Sequence, residues 1–217
     1  MGLGSSKDTR PEGTEHTDDG QARGPASPSQ DMKQRKIVVL GCAKVGKTAL
    51  TQQFTEDRFM AEYYPTVDQT LYKTVRVRGE DYHLSILDTA GQDDTSLFQP
   101  RYTIATDGYV VVFSIDDPVS FDIAKLVYDR IHEFVVDAVI VLVGNKTDLD
   151  RERQITTEQG QALAQSWRCT YIECSAKKKE NVNRIFQTIL EQILSREEGG
   201  GAGAKQSKGL RGFFGKP

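Results

Sequence analysis

Residues Gly41 to Thr48 read GCAKVGKT and match the phosphate-loop pattern G-x-x-x-x-G-K-[ST]. The match follows the apolar run Ile37 to Leu40, which predicts a short buried strand. The segment after it, through Phe54, is predicted to be a helix. Because the pattern requires a strand before it and a helix after it, this context indicates a loop that wraps a phosphate chain.

The positions in this loop have chemical reasons. Gly41 and Gly46 let the backbone curl, and the amides that follow point inward at the positive end of the helix. The Lys47 ammonium reaches the β and γ oxygens and is a predicted catalytic group, while the Thr48 hydroxyl is a predicted ligand of Mg²⁺. The predicted nucleotide contacts in this loop are Gly41, Ala43, Lys44, Val45, Gly46, Lys47, Thr48 and Ala49.

The stretch Asn145 to Asp148 (NKTD) follows a predicted strand and so lies where open α/β sheets bind ligands. The Asp148 carboxylate can accept hydrogen bonds from the ring N–H and the exocyclic amine of guanine, whereas adenine would leave it unpaired. Asn145 is a further predicted contact, and the Lys146 stem can lie over the base plane. This stretch therefore predicts guanine recognition and argues against an ATP-using phosphate-loop enzyme.

A second base-contacting stretch, Cys174 to Lys177 (CSAK), follows the last predicted strand. Its backbone amides can meet the guanine carbonyl oxygen. Ser175, Ala176 and Lys177 are the predicted contacts. In this order and spacing behind the phosphate loop, the two stretches predict a site for GTP and GDP.

Two stretches are predicted to respond to the γ-phosphate. In Asp88 to Gln92 (DTAGQ), Asp88 is predicted to hold Mg²⁺ through a water, the Gly91 amide to contact the γ-phosphate, and Gln92 to orient the attacking water. Upstream, Thr66 is predicted to become a second protein ligand of Mg²⁺ only when a γ-phosphate is present, which is an order–disorder switch. The remaining predicted nucleotide contacts in that loop are Phe59 and Tyr63.

Strands alternate with helices along the chain, which predicts an α/β fold with a mostly parallel six-stranded sheet, one antiparallel edge strand and helices on both faces. Arg78-Gly79-Glu80 is the predicted hairpin turn at that edge. Thr156 and Gln159 form a predicted capping box. The predicted strands after the first are Thr70–Val77, Asp81–Leu87, Gly108–Ile115, Ala138–Val143 and Thr170–Cys174, and the later helices are Pro118–Phe134, Thr156–Trp167 and Asn181–Ser195.

Composition narrows the function classes. The 217 residues carry a net charge of −3, so there is no overall basic field that would favour nucleic acid. An odd count of three cysteines predicts reduced thiols in the cytosol. Residues 1–34 are predicted to be a disordered extension, 35–195 the folded domain, and 196–217 a flexible Gly-rich and basic tail.

In this order, GCAKVGKT, YYPTV, DTAGQD, NKTD and CSAK resemble the small GTPases of the Ras superfamily. Tyr82-His83-Leu84, Gly108-Tyr109 and the run from Ala162 to Trp167 are similar to its Rheb branch. The resemblance implies a P-loop NTPase G domain that binds Mg²⁺ and acts as a GTP/GDP switch. It also implies effector binding through the switch loops, target-of-rapamycin kinase control of growth, and a tuberin-like activating protein, and it leaves the exchange factor unidentified.

Departures from the family pattern bear on hydrolysis. Ala43 stands where typical Ras proteins have glycine, and its β-carbon would crowd an incoming arginine finger, so slow hydrolysis is expected. Rheb-like proteins also lack that glycine. Thr95 replaces an aromatic residue of the second switch. The alternative is a binding module that holds GTP with negligible hydrolysis and is regulated by exchange or abundance; Ala43 favours it and Gln92 argues against it.

The two ends of the chain carry sequence features that bear on membrane attachment. No cysteine follows Cys174, so the prenylation box of Ras and Rheb is absent, while Met1 to Lys7 matches the myristoylation pattern with Gly2 as the acceptor. We therefore expect a cytoplasmic protein, peripheral on membranes through an N-terminal lipid. A second membrane signal, or alternatively a solvated tail, is formed by Lys205, Lys208, Arg211, Phe213, Phe214 and Lys216.

Overall fold

A six-stranded sheet forms the centre of the computed structural model, which describes residues 32–92 and 98–203, with side chains through 199. The strand order is β2-β3-β1-β4-β5-β6; β2 runs antiparallel to β3 and every other pair is parallel. The predicted fold class is confirmed. The strands are β1 Lys33–Leu40, β2 Gln69–Val77, β3 Glu80–Asp88, β4 Gly108–Ser114, β5 Ile140–Asn145 and β6 Thr170–Glu173.

Helices connect the parallel strands. Asp117 caps α2 by accepting backbone N–H bonds from Val119 and Ser120, and the predicted capping box of Thr156 and Gln159 starts α3. The α-helices are α1 Lys47–Glu56, α2 Pro118–Phe134, α3 Thr157–Trp167 and α4 Val182–Gly203; short 3₁₀ helices span Pro100–Thr103 and Thr147–Glu152.

Both faces of the sheet are covered, as a fully buried parallel sheet requires. In β1, Ile37 and Val39 join the core beneath α1 and α4, while Val38 and Leu40 join the core beneath α2 and α3. Stacking of Phe54 on Phe186 at 4.0 Å between ring centroids ties α1 to α4. This alternation explains why β1 reads as a continuous apolar run.

The last helix is longer than predicted. It was expected to end at Ser195, but α4 continues to Gly203 across the first part of the predicted tail. Glu197 pairs with Arg35 at 2.7 Å and Glu198 with Arg78 at 2.8 Å, and these contacts hold the extra turns against the sheet. The first strand is also longer and begins at Lys33. Gly2, Thr95 and the basic residues from Lys205 onward lie outside the described residues.

The topology brings the predicted motifs together. Parallel strands end at one edge of the sheet, and ligands bind beyond that edge. The phosphate loop follows β1, Asp88 ends β3, Asn145 ends β5, and Cys174 follows β6. Four motifs from separate parts of the chain therefore meet at one edge.

Candidate nucleotide-binding site

A cavity of about 630 Å³ opens at this edge. Its size lies in the range of small-molecule and cofactor sites. Gly41, Val45 and Ser175 are not among its lining residues, although they belong to the loops that form its walls. The predicted nucleotide contacts that line it are Ala43, Lys44, Gly46, Lys47, Thr48, Ala49, Phe59, Tyr63, Thr66, Gly91, Asn145, Lys146, Asp148, Ala176 and Lys177.

The phosphate loop needs glycine at both motif positions. Gly41 has φ 144°, and a β-carbon there would lie 2.1 Å from the Val112 carbonyl oxygen. Gly46 has φ 97°, and a β-carbon there would lie 2.4 Å from Asn145 Nδ2. The positive φ angles and the close neighbouring atoms both exclude a larger residue, so these two positions of the loop require glycine.

Lys47 places a buried cation at the centre of the loop. Its Nζ donates to the carbonyl oxygens of Gly41 at 2.8 Å and Cys42 at 2.9 Å. Burial lowers the pKa of Lys47 to about 8. An anionic phosphate in the cavity would favour the charged form of this side chain.

Oxygen groups suited to Mg²⁺ lie beside the loop. The Thr48 and Thr66 hydroxyls are 2.8 Å apart. Asp88 is fully buried; its Oδ2 accepts from Gln69 Nε2 at 3.1 Å, and its Oδ1 has no hydrogen-bond partner within the described residues. Burial raises the pKa of Asp88, while the nearby Thr48 hydroxyl opposes that rise. An orphaned carboxylate oxygen beside two hydroxyls fits a hard cation such as Mg²⁺.

Asn145 joins three loops on the opposite wall. Its Nδ2 donates to the Val45 carbonyl oxygen at 2.8 Å, and its Oδ1 accepts the Ala176 backbone N–H at 3.2 Å. Asn145 is 1% exposed, so these bonds are shielded from water. This residue therefore fixes the phosphate loop relative to the CSAK stretch.

Asp148 is held between the two base-contacting stretches. Its Oδ1 accepts from the Ser175 hydroxyl at 2.6 Å, and its Oδ2 lies 4.0 Å from Lys177 Nζ. Lys146 adopts a left-handed conformation with φ 69°, and its Nζ lies 3.6 Å from Asp116. The Asp148 carboxylate keeps acceptor capacity toward the cavity that it lines.

The Ras family model matches residues 36–195. The chain belongs to the Ras family. It is 43% identical to GTP-binding protein rhb1 of Schizosaccharomyces pombe, over 75% of this chain and 89% of that protein. It is also 43% identical to GTP-binding protein Rheb of Homo sapiens, over 81% of this chain and 95% of that protein. The Rheb homolog of Dictyostelium discoideum is 42% identical, over 74% and 88%. The chain is a Rheb-like small GTPase.

One predicted catalytic residue of this Ras-family domain does not face the cavity. Gln92 is 5% exposed; its Oε1 accepts the Gly41 backbone N–H at 2.7 Å, and its Nε2 donates to Thr89 Oγ1 and the Ala90 carbonyl oxygen. Because these bonds occupy the amide, Gln92 braces the start of the phosphate loop. The prediction that Gln92 orients the attacking water stays a prediction.

Ala43 and Gly91 are in close contact. A β-carbon built on Gly91 would lie 2.5 Å from Ala43 Cα and 2.7 Å from Ala43 Cβ. The Ala43 methyl group therefore packs against the turn whose amide was predicted to contact the γ-phosphate. The expected crowding of an arginine finger by Ala43 stays a prediction.

Sequence reasoning missed the residues that hold the Ras-family motifs in place. Arg153 follows the 3₁₀ helix that carries Asp148, and it pairs at 2.8 Å with Glu173, which directly precedes CSAK. Gln69 orients Asp88, and Asp116 pairs with Lys146. The only sign of these roles in the sequence is that the residues flank the motifs. Because charged residues are common at such positions, that sign is too weak to identify them. Within the described residues, no helix is long and apolar enough to cross a membrane.

Proposed function

We propose that this Rheb-like small GTPase is a GTP/GDP switch with slow hydrolysis that signals through the first switch segment, defined here as Phe59 to Val67. The observation that carries this proposal is the 2.8 Å contact between the Thr48 and Thr66 hydroxyls beside the orphaned Asp88 oxygen. Thr48 belongs to a fixed helix start, whereas Thr66 belongs to an exposed loop. A cation site shared between them makes the loop conformation depend on the bound nucleotide.

Different residues of the site would neutralise the phosphate charge and hold Mg²⁺. Lys47 would neutralise charge on the β and γ oxygens, and Thr48, Thr66 and Asp88 through water would hold Mg²⁺, which supplies further neutralising charge when bound. The Gly91 amide would donate to the γ-phosphate. Without that phosphate, Mg²⁺ would no longer hold Thr66 near Thr48, and the first switch segment would be released.

Two features support slow turnover. Ala43 occupies space next to Gly91, where an arginine finger would enter. Gln92 uses its amide on Gly41, Thr89 and Ala90 rather than on a water. Positioning a water with the Gln92 amide would require these bonds to break, so an activating protein would have to reorganise this turn.

The buried Gln92 amide also favours a second candidate, a GTP-bound module with negligible hydrolysis. Single-turnover release of phosphate from bound GTP, compared between the wild type and Gln92→Leu, separates the two. The switch predicts measurable hydrolysis that Gln92→Leu reduces when an activating protein is present. No release above the uncatalysed rate in either protein, with or without that activator, would favour the module.

The resemblance to Rheb suggests partners for this switch. Support comes from the relatives that carry that name and from the exposed Tyr63, Tyr64 and Val67 side chains of the first switch segment. The proposed effector is the target-of-rapamycin kinase complex, and the proposed activator is a tuberin-like protein. Effector capture that is the same for the GDP and GTP-analogue forms would exclude this assignment.

Membrane attachment is proposed through Gly2. The support is the match of Met1 to Ser6 to the acylation pattern and the basic, Phe-containing tail. A single myristoyl chain binds reversibly, and basic residues near an anionic leaflet each add about 1 kcal/mol. Intact mass and cell fractionation of wild type and Gly2→Ala test this. An unmodified N-terminus, or a Gly2→Ala variant that stays on membranes, would contradict it.

A further inference from the structure

Asp68 lies just beyond the first switch segment and bonds to residues far along the chain. Its Oδ1 accepts the Ala90 backbone N–H at 2.7 Å. Its Oδ2 accepts from Arg101 Nη2 at 2.7 Å and from the Tyr102 hydroxyl at 2.9 Å. The Asp68 side chain is 14% exposed, so the carboxylate is mostly shielded from water. One side chain thus connects the loop before β2 with the turn after β3 and the first 3₁₀ helix.

The geometry is that of a strong anchor. Hydrogen bonds that involve a charged partner are shorter and roughly twice as strong as neutral ones. The three donors come from three residues, and one of them, Tyr102, is 2% exposed and packed in the core. Asp68 therefore links a loop of few buried contacts to a point that the core holds still.

The neighbours of Asp68 contact the phosphate side of the site. Thr66 lies 2.8 Å from the Thr48 hydroxyl, and Gln69 donates to Asp88 at 3.1 Å. On the other side, Ala90 precedes Gly91, which packs against Ala43. Asp68 therefore connects the segment that carries Thr66 to the backbone next to the Gly91 amide.

We propose that Asp68 is a positioning residue that sets the preference for GTP over GDP by coupling Thr66 to the Gly91 amide. This inference rests on the proposed function. With a γ-phosphate bound, Thr66 is held, Asp68 keeps the Ala90 N–H in place, and the next amide points at the phosphate. With GDP, Thr66 is released and Asp68 holds its partners less firmly. The Arg101 side chain, which is exposed, then reports the nucleotide state at the surface.

The test compares affinities for a nonhydrolysable GTP analogue and for GDP. Asp68→Ala should lower the ratio of the two affinities by about tenfold, because a charge-assisted network is lost in only one state. GDP affinity should change by less than about twofold, since GDP does not use the Gly91 amide. Asp68→Asn keeps one acceptor oxygen for Ala90 but cannot accept from Arg101 with its amine, so it should restore part of the ratio.

Asp107 offers a matched control. Its Oδ2 accepts the Lys36 backbone N–H at 2.7 Å, a bond of the same kind at the opposite end of the sheet. Asp107→Ala and Asp107→Asn should leave the affinity ratio unchanged. Arg101→Leu should lower the ratio in the wild-type background and have no further effect in Asp68→Ala.

The possible outcomes distinguish a failure of this inference from a failure of the proposed function. A wild type that binds neither nucleotide would remove the proposed function itself. A wild type that binds both, with Asp68→Ala weakening both equally or neither, would overturn the role of Asp68. If Asp68→Ala does not fold, Asp68→Asn carries the test, and an unchanged ratio in that variant overturns the proposal.

Discussion

The two sides of the cavity are built differently. The base side is closed by largely buried hydrogen bonds: the Asn145 side chain bonds to the backbone of Val45 and Ala176, and the Ser175 hydroxyl donates to the Asp148 carboxylate. The first switch segment is open: Tyr63 is 51% exposed, Tyr64 63% and Val67 84%. Its contacts to the phosphate loop include the Thr66–Thr48 hydroxyl pair and the Lys44 ammonium 5.6 Å from the Tyr63 ring centroid.

This difference assigns two tasks to two kinds of structure. A wall of buried, satisfied polar groups is rigid and can read the identity of a base without rearranging. A loop with few buried contacts opens at low free-energy cost and can respond to a single phosphate. Nucleotide identity and nucleotide state are therefore read by separate parts of one site.

The largest effect should come from breaking the rigid side. Asp148→Asn replaces the acceptor that reads the guanine N–H groups and should weaken GTP binding by about 2–4 kcal/mol. The same change should favour xanthine, because the asparagine amine can donate to its additional carbonyl. Competition between guanine and xanthine nucleotides measures both effects.

A neighbouring carboxylate controls for this change. Asp150 pairs with Arg153 at 2.8 Å and is exposed, so Asp150→Asn should leave base preference unaltered. Equal base preference in wild type and Asp148→Asn would show that Asp148 does not read the base.

The next effect concerns pH on the phosphate side. In the free protein, burial lowers the pKa of Lys47 to about 8, and bound phosphates should raise that pKa again. Binding then takes up a proton above pH 8, so affinity should be constant below about pH 8 and fall by up to about tenfold per pH unit above it. Calorimetry of GDP binding in two buffers of different ionisation enthalpy measures the proton uptake.

Arginine stays protonated throughout this range. Lys47→Arg is therefore expected to bind more weakly but to show no comparable decline between about pH 8 and about pH 9. A wild-type affinity that is flat over the same interval would contradict the buried-cation description of the loop.

A smaller effect is expected at Ala43. Replacement by glycine removes the methyl group packed against Gly91 and should raise intrinsic single-turnover hydrolysis by about threefold, or about 0.7 kcal/mol in the barrier. The increase should be larger with an activating protein, since the finger residue then has room. GTP binding should not change. Equal rates for wild type and Ala43→Gly in both conditions would mean that another feature limits turnover.

The sequence predicted what local chemistry determines. The phosphate loop, NKTD and CSAK were located because each follows a strand, and parallel strands bring such loops to one edge. The two motif glycines were predictable because backbone conformation at those positions admits no side chain.

What the sequence did not predict depends on contacts between distant segments. The Gln92 amide can bond either to a water or to the Gly41 backbone. The spacing of residues in DTAGQ does not decide between these two partners. The extension of α4 rests on pairing with Arg35 and Arg78, more than a hundred residues away. The three bonds of Asp68 arise only once the turn after β3 and the first 3₁₀ helix both lie beside the start of β2.

Hydrogen exchange in the GDP-bound and GTP-analogue-bound protein tests the division of tasks most directly. We expect the amides of residues 59–67 to exchange at least about fivefold more slowly with the GTP analogue, while those of 140–148 and 173–178 differ by less than about twofold. Equal changes on both sides of the cavity, or no change in residues 59–67, would contradict it.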